Sequence, residues 1–302
     1  MEEMTTGLCP KCGHTLQIPA ELERFSCMYC GERLTKRQLL TQPEEASCSE
    51  EDCAVSFDHA VSRLGWCVQN FRGYQKKILR DAFFEAFETY ETGCAPVIQE
   101  LNSGVRPERQ TELLDRAAEA MLDELAAGWT GKNDMKDEKV ILAIFFVPMV
   151  RKLQLPVSEE FVSLLQKKWV ERYPKSPFYL GDYESISGGF RKKFLGLCFI
   201  TTAVCQELGK PDDCAELTAF RAFRDGYLAA QPDGEALIRE YYNIAPGIVT
   251  CINTCSDRHA SYERIREQYL TPCYEDLLAG RNADCKTRYV QMVRDLEREY
   301  LH

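Results

Sequence analysis

The sequence predicts a mainly α protein: a multi-helix body preceded by a small N-terminal module of β-hairpins. Three observations lead there. From Phe57 to the C-terminus, apolar residues recur at steps of three and four, the period of a helix face, and the strict alternation of a strand does not persist. Near the N-terminus, two Cys-x-x-Cys-Gly pairs stand fourteen residues apart, which suits short hairpins around an ion but is too small a unit to organise 302 residues. Between the two lies an acidic stretch with almost no apolar surface. The division that follows is a metal module over residues 1–38, a linker over 39–56, a helical region over 57–180 and a cysteine-rich helical region over 181–302.

Bulk properties narrow the class. A hydrophobic share of 45% supports an ordinary core without disulfides. The opening MEEMTTG is acidic with no apolar run behind it, so no secretory signal is expected and the chain is read as cytoplasmic. In that compartment thiols stay reduced, and the fifteen cysteines are metal ligands, redox groups or packing residues rather than bridges. The longest apolar run, Val140 to Val150, falls short of the roughly 20 residues of a membrane span and reads as a buried helix. A net charge of −10 disfavours nucleic acid and anionic membrane and leaves a protein as the expected partner.

The module's candidate metal ligands are Cys9, Cys12, Cys27 and Cys30. Each Cys-x-x-Cys turn points two thiolates at one ion, and Gly13 and Gly31 free the backbone to turn beneath it. Four soft sulfurs close a tetrahedron and select zinc over hard cations, with iron as the other ion that accepts this geometry. These residues resemble the zinc-ribbon family, which implies a closed structural site without an open position. His14 is surplus to a complete ligand set and is expected in solvent. The cations of this segment form no run longer than two, so a docking or spacer role is expected rather than nucleic-acid binding. Thr41 to Cys53 carries five acidic residues and no basic one, a linker composition in which Cys48 and Cys53 are expected to be exposed.

In the body, Phe83, Phe84, Phe87 and Tyr90 form an apolar stripe of core. Leu114, Ala117, Met121 and Leu125 form the inner face of an amphipathic helix that starts after Arg106-Pro107 and ends at Gly128. Ser158 is a candidate cap for a helix through Phe161, Leu165 and Trp169 that stops near Tyr173-Pro174. Pro174 to Gly189 reads as a joint or long loop, and Gly188 to Lys193 as a solvated basic helix start. No Walker A or G-x-G-x-x-G pattern occurs.

Cys198, Cys205 and Cys214 surround a Gly209-Lys210-Pro211-Asp212-Asp213 turn and form the candidate redox or second metal site. Helix, turn and following helix are expected to bring the three together, with Asp213 and Glu216 as a capping box. This region resembles the bacterial CFI-box segment through Cys198-Phe199-Ile200, Thr202-Ala203, Phe223-Arg224-Asp225, Gly234, Tyr241-Tyr242 and Pro246. The resemblance implies a compact helical unit and transfers no catalytic residue. Arg221, Arg224 and Asp225 read as a structural ion-pair network, and most of the seven cysteines between 198 and 285 as small core residues. The functional expectation is a zinc-binding interaction or regulatory module without a catalytic constellation. Its alternative is a thiol-dependent redox or metal-sulfur protein using the C-terminal cysteines.

Overall fold

The computed structural model describes residues 4–8, 15–19, 22–29, 31–36, 49–191, 198–254 and 257–302. Two compact units divide the chain, Met1–Cys53 and Ala54–His302. In the first, β1 (Met4–Leu8) pairs antiparallel with β2 (Thr15–Pro19), and β3 (Arg24–Ser26) with β4 (Arg33–Thr35). Leu16, Cys27 and Leu34 form its small core, with Phe25 against it. So few apolar residues offset little chain entropy, which is why units of this size normally carry a metal or disulfide staple.

The helices begin earlier than composition suggests. Helix α1 (Glu50–Leu64) takes in the end of the stretch read as linker. Its cause is local: the Ser49 hydroxyl accepts the Asp52 amide at 3.1 Å and caps the helix, while Glu50, Glu51 and Asp52 oppose the positive end of the helix dipole. Cys53, expected in solvent, is buried on this helix.

Beyond a short helix α2 (Trp66–Gln69) come α3 (Phe83–Gly104) and α4 (Gln110–Ala127). The two carry the predicted stripes, with Phe83, Phe87, Tyr90, Leu114, Ala117, Met121 and Leu125 buried. A rod follows, built from α5 (Asp134–Ile141), a wide π-helical turn (Leu142–Phe146) and α6 (Val147–Lys152). Every residue from Ile141 to Val150 is buried, as expected of the longest apolar run. Phe145 lies in ring contact with Tyr74, Phe83, Phe87 and Tyr90 at centroid distances of 5.6, 5.8, 6.1 and 5.5 Å.

Helix α7 (Ser158–Arg172) packs on α4, and Ser158 opens it, but its hydroxyl accepts the Leu155 amide at 3.2 Å instead of capping the helix's own amides. After an irregular segment, α8 (Tyr183–Arg191) contains Gly188 and Gly189, so these glycines are helical rather than loop. Arg191, the last described residue of that helix, pairs with Glu184 at 3.0 Å; it follows two turns of helix rather than opening one, and Lys192 and Lys193 lie outside the described residues. Phe190 stacks on Phe83 at 4.2 Å, and regions 57–180 and 181–302 share one compact unit.

The remaining helices are α9 (Phe199–Glu207), α10 (Ala215–Ala222), α11 (Gly234–Asn253), α12 (Arg258–Ile265), α13 (Thr271–Leu278) and α14 (Asn282–Tyr300). A second π-helical turn (Phe223–Leu228) extends α10, and a third (Arg266–Leu270) joins α12 to α13. Helix α11 lies against α9 and α14. It also meets the segment before α3, where Arg80 donates its amide to the Asn243 carbonyl at 3.0 Å and Asp81 to the Asn243 side chain at 3.1 Å. Among the described residues, no helix is long and apolar enough to cross a membrane.

Gly247 marks the closest of these approaches, since a Cβ there would stand 1.8 Å from the Ile78 carbonyl oxygen. Helix propensity alone favours alanine at that position by about 1 kcal/mol. Overpacking against backbone outweighs it, and Gly247→Ala is expected to lose about 2 kcal/mol net in urea unfolding with an unchanged denaturant slope. A stabilised variant would show that α11 does not press on residue 78.

Candidate functional site

Helix α9 has chemistry at both of its ends. At its start, Cys198 occupies the N-cap position, with its sulfur 3.5 Å from Arg224 Nη1. Arg224 comes from the second π-helical turn, and the same nitrogen donates to the Tyr242 hydroxyl at 3.0 Å. Its Nε and Nη2 fork onto the Asp225 carboxylate at 2.6 and 2.7 Å. Next to it, the Ile200 amide donates to the Tyr241 hydroxyl at 3.0 Å, and Tyr289 stands 3.2 Å from Thr201. Cys198, Ile200, Arg224, Asp225, Tyr241 and Tyr242, scattered over 45 residues of sequence, therefore converge in space.

Electrostatics make this end structural. Burial pushes the Cys198 thiol above its ordinary value despite the nearby Arg224 guanidinium, so the thiol stays protonated. Asp225 in turn holds the Arg224 guanidinium firmly charged. The adjoining apolar pocket, walled by Phe220, Phe223 and Leu237, encloses about 50 Å³ and has room for a few waters. The ion-pair network expected of Arg224 and Asp225 is present, and Arg221 joins Asp212 at 2.8 Å.

At the other end, α9 stops in a Schellman turn. Gly209 takes φ +67°, its amide reaches the Gln206 carbonyl at 3.0 Å and the Lys210 amide reaches the Cys205 carbonyl at 2.8 Å. Pro211 prevents continuation, and Cys214 becomes the N-cap of α10. This hairpin sets the Cys205 and Cys214 sulfurs 3.7 Å apart. Cys205 is buried and Cys214 half-buried. Lys210 holds both oxygens of Glu216, at 2.6 and 2.7 Å, so the expected Asp213–Glu216 capping box does not form. Among the described residues, Cys205, Cys214 and Glu216 form a group whose ligand atoms all lie within 4.8 Å of one another.

The predicted triple cluster is thus a pair. Cys198 lies at the opposite end of α9, off the helix at its cap, and turns to Arg224 while Cys205 turns to Cys214. Burial, the neighbouring Cys214 thiol and the Glu216 charge push Cys205 up to about 12, with Lys210 opposing. Each of the raising causes penalises negative charge at this spot.

The predicted N-terminal ligands are visible only in part. Cys9, Cys12 and Cys30 lie outside the described residues, as do His14, Cys48 and Cys255. Cys27 is 2% exposed, and its amide bonds to the Glu32 carbonyl at 2.8 Å while Gly31, at φ +72°, returns its amide to the Cys27 carbonyl at 2.8 Å. That is the tight glycine turn a Cys-x-x-Cys-Gly knuckle requires. Sequence reasoning missed two further thiol neighbourhoods. Cys94 donates toward the Cys67 carbonyl at 3.8 Å, and Cys273 toward the Cys285 carbonyl at 4.0 Å; all four are buried. No spacing signal links residues brought together by separate helices. His59, His259 and His302 stand beside Glu100, Glu207 and Glu297.

No protein family, curated protein or solved structure matches the chain. Function is therefore argued from the residues. Alkylation of the metal-free reduced protein at about pH 7 should modify Cys214 and spare Cys205, because only the former reaches solvent. Between about pH 7 and about pH 10 the rate at Cys205 should rise nearly ten-fold per pH unit, tracking its thiolate fraction. Levelling of the rate above about pH 9 in peptide-resolved mass spectrometry would put the Cys205 pKa at an ordinary value.

Proposed function

We propose that the chain is a thiol-responsive regulatory protein of a reducing compartment, with a zinc-ribbon module for docking and a helical body that carries a Cys205–Cys214 switch. One observation carries this reading: two sulfurs 3.7 Å apart across a rigid turn, one buried and one reachable. A low-molecular-weight disulfide supplies the oxidant. The Cys214 thiolate attacks it and releases one thiolate; Cys205, giving up its proton, displaces the second and closes the intramolecular disulfide. Two protein thiols are oxidised while one small disulfide is reduced to two thiols. Lys210, next to Glu216, helps to offset negative charge as the Cys205 proton leaves.

A second reading is favoured by Glu216. Two thiolates bound tetrahedrally to zinc at about 2.3 Å stand about 3.8 Å apart, close to the separation found here. A divalent cation would also reverse every cause that raises the Cys205 pKa. Cys205, Cys214 and, once Lys210 swings away, Glu216 would supply three ligands.

In the N-terminal module, zinc held by Cys9, Cys12, Cys27 and Cys30 would supply the folding free energy that so small a core lacks. The turn that carries Cys27 exposes Met28 and Tyr29 at 77% and 58%, apolar tips that suit a protein partner. The net charge of −10 argues against nucleic acid as that partner. The CFI-box likeness is part of the same proposal, since its residues build the network that fixes the start of α9.

Metal analysis and intact mass separate the readings. Protein purified without air is expected to hold a single zinc ion per chain, lost in Cys12→Ser, and a low-molecular-weight disulfide should then remove two hydrogens and link Cys205 to Cys214. A second zinc ion, lost in Cys214→Ser, would favour the metal reading. Free thiols at both positions after oxidant, with no second metal, would refute the site.

A further inference from the structure

In a chain with a net charge of −10, some lysines of the helical body are neutralised by carboxylates and others are not. Lys152, Lys168, Lys210 and Lys286 each lie within 2.9 Å of one. Lys136, Lys139 and Lys175 do not pair with a carboxylate of any described residue, and all three line one cleft of about 540 Å³. The cleft is formed by α5, the irregular segment after α7, α12 and the end of α14. Its size falls within the roughly 300–1,000 Å³ of small-molecule sites.

Of the two carboxylates on its rim, Glu299 is held by Arg264 at 2.6 Å, and Asp257 stands at the start of α12. Four cations against two carboxylates leave the cleft positive. Lys139, Ser176 and Lys136 are also held in place. Lys139 donates to the Ser176 hydroxyl at 3.0 Å, which leaves the hydroxyl proton free to be donated onward. Ser176 is anchored on both sides, its amide to the Tyr173 carbonyl at 2.9 Å and its carbonyl to the Trp169 indole at 2.7 Å. Lys136 is tethered to the Glu299 carbonyl with its ammonium 5.8 Å from the Tyr300 ring centroid.

We infer that this cleft binds a small phosphorylated molecule, with the phosphoryl group among Lys136, Lys139, Lys175 and the Ser176 hydroxyl. The chemistry selects phosphoryl over carboxylate. A planar carboxylate is best met by a guanidinium fork, and the one guanidinium here is taken by Glu299. Separate ammonium points together with a hydroxyl suit several oxygens around one phosphorus. A small molecule is selected over a nucleic acid because the whole-chain charge repels an extended polyanion, while a single dianion meets only the local field.

Calorimetric titration of the full chain with inorganic pyrophosphate, at ionic strength held constant with chloride, tests this. The wild type should bind saturably, and the double variant Lys139→Gln, Lys175→Gln should bind about ten-fold more weakly or less. A control double variant, Lys77→Gln, Lys167→Gln, makes the same change of charge elsewhere and should bind as the wild type does. Absence of saturable binding to the wild type would overturn the proposal. So would full binding by the cleft variant, or equal loss in the control, which would mark a net-charge effect.

Discussion

A helix that is apolar all round has no side to give to water, and the rod from Asp134 to Lys152 is such a helix over its middle. Its burial requires cover in every direction, so the body wraps the rod instead of stacking in two layers. Helices α3, α7 and α8 each pack on its second half, while residues 74–77 cover its first. The π-helical turn within it has a local cause. Pro148 cannot join the i−4 ladder, and the turn just before it is widened, with the Val147 amide reaching back to the Leu142 carbonyl. Widening directs Phe145 into the aromatic group around Tyr90, and Phe146 toward Phe161 at 6.2 Å. Each buried phenylalanine is worth about 2–3 kcal/mol.

The rod's polar end needs equal care. Glu138 is wholly buried, a costly place for a carboxylate, and it is satisfied by Arg72 Nε at 2.7 Å, the Trp129 indole at 2.7 Å and a second Arg72 nitrogen at 2.5 Å. Arg72 also donates to the Gly128 carbonyl at 3.0 Å, so one guanidinium closes the end of α4 and neutralises the start of the rod. Nothing local marks Glu138 as different from Asp137 or Lys139 beside it. Its role is fixed by a partner 66 positions away, and such pairing leaves no periodic trace.

What the sequence makes legible is what periodicity controls. The buried faces of α3 and α4, the stop at Gly128 and the burial of Val140 to Val150 follow from steps of three and four. Composition misleads where a few residues act in a specific place. The acidic residues after Ser49 read as linker but are a capped first turn, because at a helix start their charge is favourable. Gly188 and Gly189 read as loop yet lie in α8 with Phe190 stacked on Phe83, tertiary packing outweighing their poor propensity. At the candidate site, the Gly-Lys-Pro turn was legible and so was the approach of Cys214 to Cys205. The separation of Cys198 was not, although α9 imposes it: seven residues of helix between Cys198 and Cys205 span about 10 Å.

That separation gives α9 its asymmetry. At its first turn, Arg224, Tyr241 and Tyr242 hold it from two other elements through buried bonds that do not respond to mild oxidation. At its last turn, a glycine stop and a thiol pair hold it to α10. Helices of nine and eight residues are marginal on their own, so their pairing depends on such contacts. A link between Cys205 and Cys214 closes a loop of about ten residues, which by chain entropy is worth about 2–3 kcal/mol. The same bond between Cys67 and Cys94 would join helices already fixed by the deep core around Tyr90, whose hydroxyl donates to the Cys67 carbonyl at 2.7 Å. Cys205 and Cys214 instead join two short helices, and Cys214 is half-buried rather than buried.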